Sequence, residues 1–170
     1  MKRLLYAGGM VAAAVWTWFA LSSARDLLSS ERAAIETAWV SAGEALRIRS
    51  RILPELAAAG TASAGSLRRA EEALRTAKSR PEIRAASTIV DDAVGEWLVE
   101  VEGEPDRPAR EKVKERLREV EIRFASERRK YNSAVQKYNV SLELFPNNLA
   151  ARLFGFRRED GYLITEPPRH

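Results

Sequence analysis

Lys130-Tyr131-Asn132-Ser133-Ala134-Val135-Gln136-Lys137-Tyr138-Asn139, running on into Leu144-Phe145-Pro146-Asn147-Asn148, is the stretch on which the fold turns. Lys-Tyr-Asn recurs after seven residues, which places both Tyr-Asn pairs on one side of a helix. Phe145 extends the aromatic row by another heptad. Pro146 then stops the helix, because it lacks an N–H and clashes with the preceding turn. Traced backwards, the same stripe reads Val113, Leu117, Val120, Phe124, Glu127, Tyr131, Ala134, Tyr138, Ser141 and Phe145. It predicts one helix from about Ala109 to Leu144 whose aromatic row, Phe145 included, packs in a core. Asn132 and Asn139 lie one step round from that row, placed either to hydrogen-bond a neighbouring backbone or to face water. Beyond Pro146, Asn147 or Asn148 can cap a short helix through Leu153, and Gly155 can end it. Asp160 to Thr165 reads as a turn and a short extended piece.

Upstream, Leu28, Ile35, Ala42, Arg49 and Leu56 are seven apart, and so are Arg32, Trp39, Leu46 and Leu53. Interleaved, they form one seam that is apolar except at its two arginines. No proline and only Gly43 interrupts the chain between Ala24 and Leu53, so one rod is expected there, kinked at Pro54. Gly60-Thr61-Ala62-Ser63-Ala64-Gly65 reads as a flexible connection, with a second helical stretch from about Ser66. Ser79-Arg80-Pro81 interrupts that stretch, and Pro81 suits a first helical turn. Ile83, Val90, Val94, Trp97 and Val101 continue the heptad spacing, and Gly103 to Pro108 is a loop by composition. Long amphipathic helices joined by short loops predict an all-α antiparallel bundle.

The N-terminus has a different character. Met1-Lys2-Arg3 precedes an uncharged run from Leu4 to Ala24, closed by Arg25-Asp26. As a helix this run is roughly 31 Å long, enough to cross a bilayer core. Tyr6 near one end and Trp16, Trp18 and Phe19 near the other match interfacial aromatic belts. Gly8, Gly9, Ala12 and Ala13 give small residues four apart, which let a second helix approach closely. Ser22-Ser23-Ala24 resembles a signal-peptidase site, but the run is long and Trp-rich, so a retained single-pass anchor is expected. Positive charge is nearly balanced across it, leaning to the N-terminus inside. The expected layout is an anchor over 1–25, a helical-bundle domain over 26–156 and a C-terminal tail over 157–170.

Composition excludes much chemistry. The chain of 170 residues has no Cys, which rules out disulfides, thiolate zinc sites and a cysteine nucleophile. Its only His is His170, the final residue, leaving no imidazole base within the bundle. The net charge of +4 favours no nucleic-acid partner without an accompanying motif, and none is present. There is no Gly-rich phosphate loop.

With these residues in view, the chain resembles the LemA family of bacterial membrane-anchored helical bundles. The resemblance rests on Glu121, Ala125, Arg128-Arg129, Tyr131-Asn132, Ala134-Val135, Tyr138-Asn139, Phe145-Pro146, Leu149-Ala150 and Phe154-Gly155-Phe156. A weaker match covers Ala38-Trp39, Arg49, Ile52-Leu53-Pro54 and Leu56. Three features depart from the pattern. Arg25-Asp26 replaces an opening Tyr-Asn, Ile122 replaces an Asn, and no Tyr-Pro-Asp-Leu occurs near Glu100 to Pro108. The resemblance implies a bacterial inner-membrane protein with a helical bundle, no cofactor and no known catalytic machinery.

Two residues interrupt the apolar stripes with charge. Arg49 and Glu127 must each pair or reach solvent, because burial of a lone charge is expensive. The expectation is a buried Arg49 bonded to Glu127 or, favoured by the resemblance, Glu121. Asp91-Asp92, Glu100, Glu102 and Glu104 lack calcium-loop spacing and read as a solvated face. Arg128-Arg129-Lys130, Arg152, Arg157 and Arg158 read as helix-surface charge. The function expected is a non-enzymatic, self-associating interaction or scaffold module on the membrane. The alternative is an adaptor for a membrane enzyme complex, such as a protease or secretion system, with an unidentified membrane protein as its partner.

Overall fold

The computed structural model describes residues 2–59, 62–102 and 108–162, and the side chains within them except at 2–8, 11, 108 and 109. The fold is all-α, with no strand among the described residues. Helix α1 runs Lys2–Ser50, α2 Leu53–Ala58, α3 Ala64–Thr76, α4 Arg80–Glu102, α5 Pro108–Ser141 and α6 Asn147–Phe154. By compactness the chain divides into two units, one of residues 1–39 and 130–161, the other of 40–129 and 162–170.

The expected rod is present as the single 49-residue helix α1. It ends where Pro54 requires: two turn residues intervene, and Pro54 then occupies the first turn of α2, where its missing N–H costs nothing. Ala64 and Gly65, assigned to the flexible connection, are instead helical, while Gly60 and Thr61 lie outside the described residues. The reason lies in α4. No side chain of Ser63 caps α3; the Glu100 carboxylate accepts the backbone N–H groups of Ala62 and Ser63 instead. A carboxylate against the first amides of a helix satisfies orphan donors and complements the positive end of its dipole, so α3 starts earlier than composition suggests.

α4 begins as expected, with Pro81 in its first turn, and Ser79 and Glu82 add a reciprocal cap. Glu82 N–H lies 3.4 Å from Ser79 Oγ, and Ser79 N–H lies 3.3 Å from Glu82 Oε2. Gly103 to Arg107, most of the expected loop, lies outside the described residues.

In the unit of 40–129 and 162–170, a single core gathers Ile52, Leu53 and Leu56 with Leu67, Ala70, Val90, Ala93, Val94, Trp97, Val101 and Leu117. α3 and α4 run antiparallel. α1 and α2 run antiparallel to α5, with Arg49 bonded to Glu121, Glu55 to Arg116 and the Ala59 carbonyl to Arg110. In the unit of 1–39 and 130–161, Leu28 and Ile35 of α1 are wholly buried, as are Tyr131 and Tyr138 of α5. Trp39 and Tyr131 pack with ring centroids 5.3 Å apart.

The heptad row of α5 is correct through Leu117, Phe124, Tyr131 and Tyr138, all buried, and fails at Phe145, which is 74% exposed. The helix stops at Ser141 rather than Leu144, because a proline excludes the α conformation from its predecessor and clashes with the carbonyl four residues back. Once the helix ends, its period no longer says where a side chain points. Asn147 does not cap α6 but is its buried first residue. Gly155 ends that helix as expected, in the left-handed conformation at φ 75°. The segment after it, the start of the C-terminal tail of 157–170, folds back along α5 at residues 159–161, while Leu163 to Thr165 lie outside the described residues.

Candidate functional site

Two constellations carry the polar chemistry of this chain, one in each unit. The first centres on Arg49. Its position on the Leu28–Leu56 seam carries it inward, and the side chain is 2% exposed. Arg49 Nε donates to Glu121 Oε1 of α5 at 2.6 Å, and Nη1 donates to Asp91 Oδ1 of α4 at 2.6 Å. Arg128 Nη1 donates to the other oxygen of Asp91 at 2.9 Å. Both guanidiniums also lie against Phe124, with Cζ 4.9 and 5.4 Å from the ring centroid. Tyr162 meets the same ring edge-on at 6.1 Å.

One guanidinium thus fastens three helices, which its planar fork permits and a point-like ammonium would not. The desolvation cost falls mainly on Arg49, since Asp91 and Glu121 keep 21% and 32% exposure. Two cations face two anions, so the cluster carries no net charge. Glu121 is the partner foreseen. Glu127, the other candidate, is half-buried and no bond from Arg49 reaches it; Arg49 takes Asp91 as its second acceptor.

Asp91 and Arg128 correct the expectation of solvated faces. A signal for both was present: Asp91 is four residues after buried Ser87 and three before buried Val94. Arg128 stands in the same relation to Phe124 and Tyr131, as does Glu121 to Leu117 and Phe124. Charges at such positions are on the buried face whatever their hydropathy.

The second constellation explains the repeated Lys-Tyr-Asn. Asn139 donates from Nδ2 to the Glu159 carbonyl at 2.8 Å and accepts from the Glu159 N–H at 3.0 Å. The Tyr131 hydroxyl donates to the Asp160 carbonyl at 2.9 Å. Gly161 passes so close to the other asparagine that a Cβ there would lie 2.8 Å from Asn132 Oδ1. One residue of each Tyr-Asn pair, Tyr131 and Asn139, therefore holds residues 159–161, a strap laid back along α5 and packed close against Asn132. Of the two readings of the asparagines, Asn139 takes backbone bonding. Its target is an irregular segment that helical periodicity does not reveal. Tyr138 is buried, and that burial pushes its phenol above the usual tyrosine range.

Among the described residues, no group of three or more His, Cys, Asp or Glu side chains is placed to hold a metal ion. Nor is any helix among them long and apolar enough to cross a membrane. Gly9, Ala12 and Ala13 are exposed on α1, and the surroundings of Gly8 lie outside the described residues.

An all-α chain of two helical units, one fastened internally by a neutral charge cluster and the other holding a strap on a doubled Tyr-Asn helix, is the class of protein these features define. The chain belongs to the LemA family, whose family model matches residues 48–169. No curated protein matches it.

Proposed function

We propose that this chain is a single-pass, membrane-anchored helical bundle of the bacterial inner membrane. It acts without catalysis, as a self-associating scaffold that presents its surface to other proteins. The observation that carries this reading is the first part of α1. Met10, Val15, Trp16, Trp18 and Phe19 are all strongly exposed, with Trp18 at 71%, and at 100° per residue they spread over about 240° of the helix circumference, the rest of the run being uncharged. A helix that is apolar all round belongs inside a protein or a bilayer, and each such side chain gains about 1.5–3 kcal/mol on leaving water. Among the described side chains, full burial begins at Ala24, the last residue of the run, and continues at Leu28 beyond it. The neutral Arg49 cluster supports a structural rather than catalytic bundle, since its charges are spent on one another.

Alkaline washing of membranes and intact-mass measurement test the anchor. The full chain should stay with the membrane and begin at its own N-terminus; release into the wash, or a mature chain starting at Arg25, overturns it. In mild detergent, mass photometry should show more than one chain per particle, driven by Gly8, Gly9, Ala12 and Ala13. A monomer at micromolar concentration would instead favour the adaptor role.

A further inference from the structure

The outward face of α6 carries the wrong residues for water. The helix buries Asn147, Ala150 and Ala151 and turns Leu149 and Leu153 outward, four apart, with Leu153 65% exposed. The turn before it exposes Leu144 and Phe145 as well. An amphipathic surface helix has the reverse arrangement.

Two further observations say what covers this face. The first is continuity with the apolar part of α1. Pro146 and Asn147 line one shallow groove with Trp16, Phe19, Ala20 and Leu27, so α6 starts beside the aromatic end of that run. It finishes at Arg25, the first charge after the run, whose Cζ lies 5.5 Å from the Phe154 ring centroid. The second is charge. Arg152, Arg157 and Arg158 are exposed on or just after α6, with Arg25 beside it; Arg158 bonds the Glu143 carboxylate and Arg25 lies 4.0 Å from that of Asp26.

We propose that α6 and the turn before it form a foot that lies in the headgroup layer of an anionic bilayer. Phe145, Leu149 and Leu153 enter the acyl boundary, and the arginines take lipid phosphates. Apolar area and guanidinium charge at one level of a membrane-bound helix are the two contributions that hold an interfacial helix. The proposal rests on the membrane-anchor reading and adds a second, peripheral contact to it.

The absence of Cys allows one spin label per chain. Full-length Phe145→Cys, Leu149→Cys and Leu153→Cys are labelled, with Val15→Cys reporting on the anchor and Val99→Cys on an exposed apolar site of α4. Each is reconstituted in phosphatidylcholine vesicles containing phosphatidylglycerol. Paramagnetic accessibility to oxygen and to a water-soluble nickel complex is then measured, after far-UV circular dichroism shows wild-type helicity and melting. Labels at 145, 149 and 153 should share the oxygen preference of 15, with a ratio several-fold above that at 99. If 15 prefers oxygen while 145, 149 and 153 behave like 99, the foot is wrong and the anchor stands. If 15 behaves like 99, the anchor reading itself fails. Shielding of 149 and 153 from both reagents overturns the proposal in favour of a protein covering the face. Omitting phosphatidylglycerol should shift 149 and 153 towards water and leave 15 unchanged; no shift overturns the headgroup contact.

Discussion

Arg49 shows how a single side chain can be legible and its surroundings only half so. The heptad seam placed it inside, and the cost of an unpaired buried charge required a carboxylate. The sequence offered two glutamates of α5, and the structure uses one of them together with Asp91. The second acceptor was hidden because a flanking Asp92 made the pair look like solvated charge. Arg49→Ala strands Glu121 and leaves Asp91 with Arg128 alone near a desolvated site, and should cost about 3 kcal/mol, where an exposed pair would cost under about 1. Melting of the full-length protein in detergent measures this, and a double-mutant cycle with Glu121→Gln should show coupling. Arg49→Lys should recover only part of the loss, because one ammonium cannot keep both the Nε and the Nη1 bond. A wild-type melt for Arg49→Ala would mean that the guanidinium contributes nothing. Ser87 tests the opposite case: its hydroxyl is buried on α4 with no hydrogen-bond partner among the described residues. Ser87→Ala removes that unsatisfied group and improves helix propensity, so it should stabilise by up to about 1 kcal/mol.

At the scale of elements, the helices followed from period and punctuation, and the errors fall where another element decides the outcome. α3 starts early because Glu100 caps it from α4, an effect no local pattern contains. The N–H groups of Ser63 and Ala62, aimed at the Glu100 carboxylate, hold its pKa below the ordinary carboxylate range. Since the folded value is depressed, the stabilisation is present above the unfolded pKa and is lost as pH falls through the folded one. Glu100→Gln should therefore melt below wild type at neutral pH, and the gap should close on acidification below about pH 4. A gap that persists in acid would show that charge plays no part in the cap. At the other end of the chain, Gly155 holds a left-handed cap with open space around it. Gly155→Ala meets no clash but must adopt a positive φ, and should cost about 1 kcal/mol. The strap beyond it was not foreseen, because an irregular segment held by side-chain amides leaves no periodic trace.

For the molecule as a whole, the membership of a helical-bundle family and the all-α architecture were readable from the doubled Tyr-Asn and the heptads. What stayed out of sight was the use of Tyr131 and Asn139 to retain residues 159–161, and the exposed apolar face of α6. The strap has a consequence for digestion. Arg157 and Arg158 are exposed on an irregular stretch, which is the kind of backbone trypsin grips, yet the adjoining Glu159 and Asp160 are bound to Asn139 and Tyr131. Scission after either arginine requires the segment to lift away first, so its rate counts how often the clasp opens. Asn139→Ala removes two hydrogen bonds worth about 1 kcal/mol each and should speed that cut roughly tenfold or more, with little change at other arginines. The same doubled motif that reveals the fold thus sets how long the chain survives a protease.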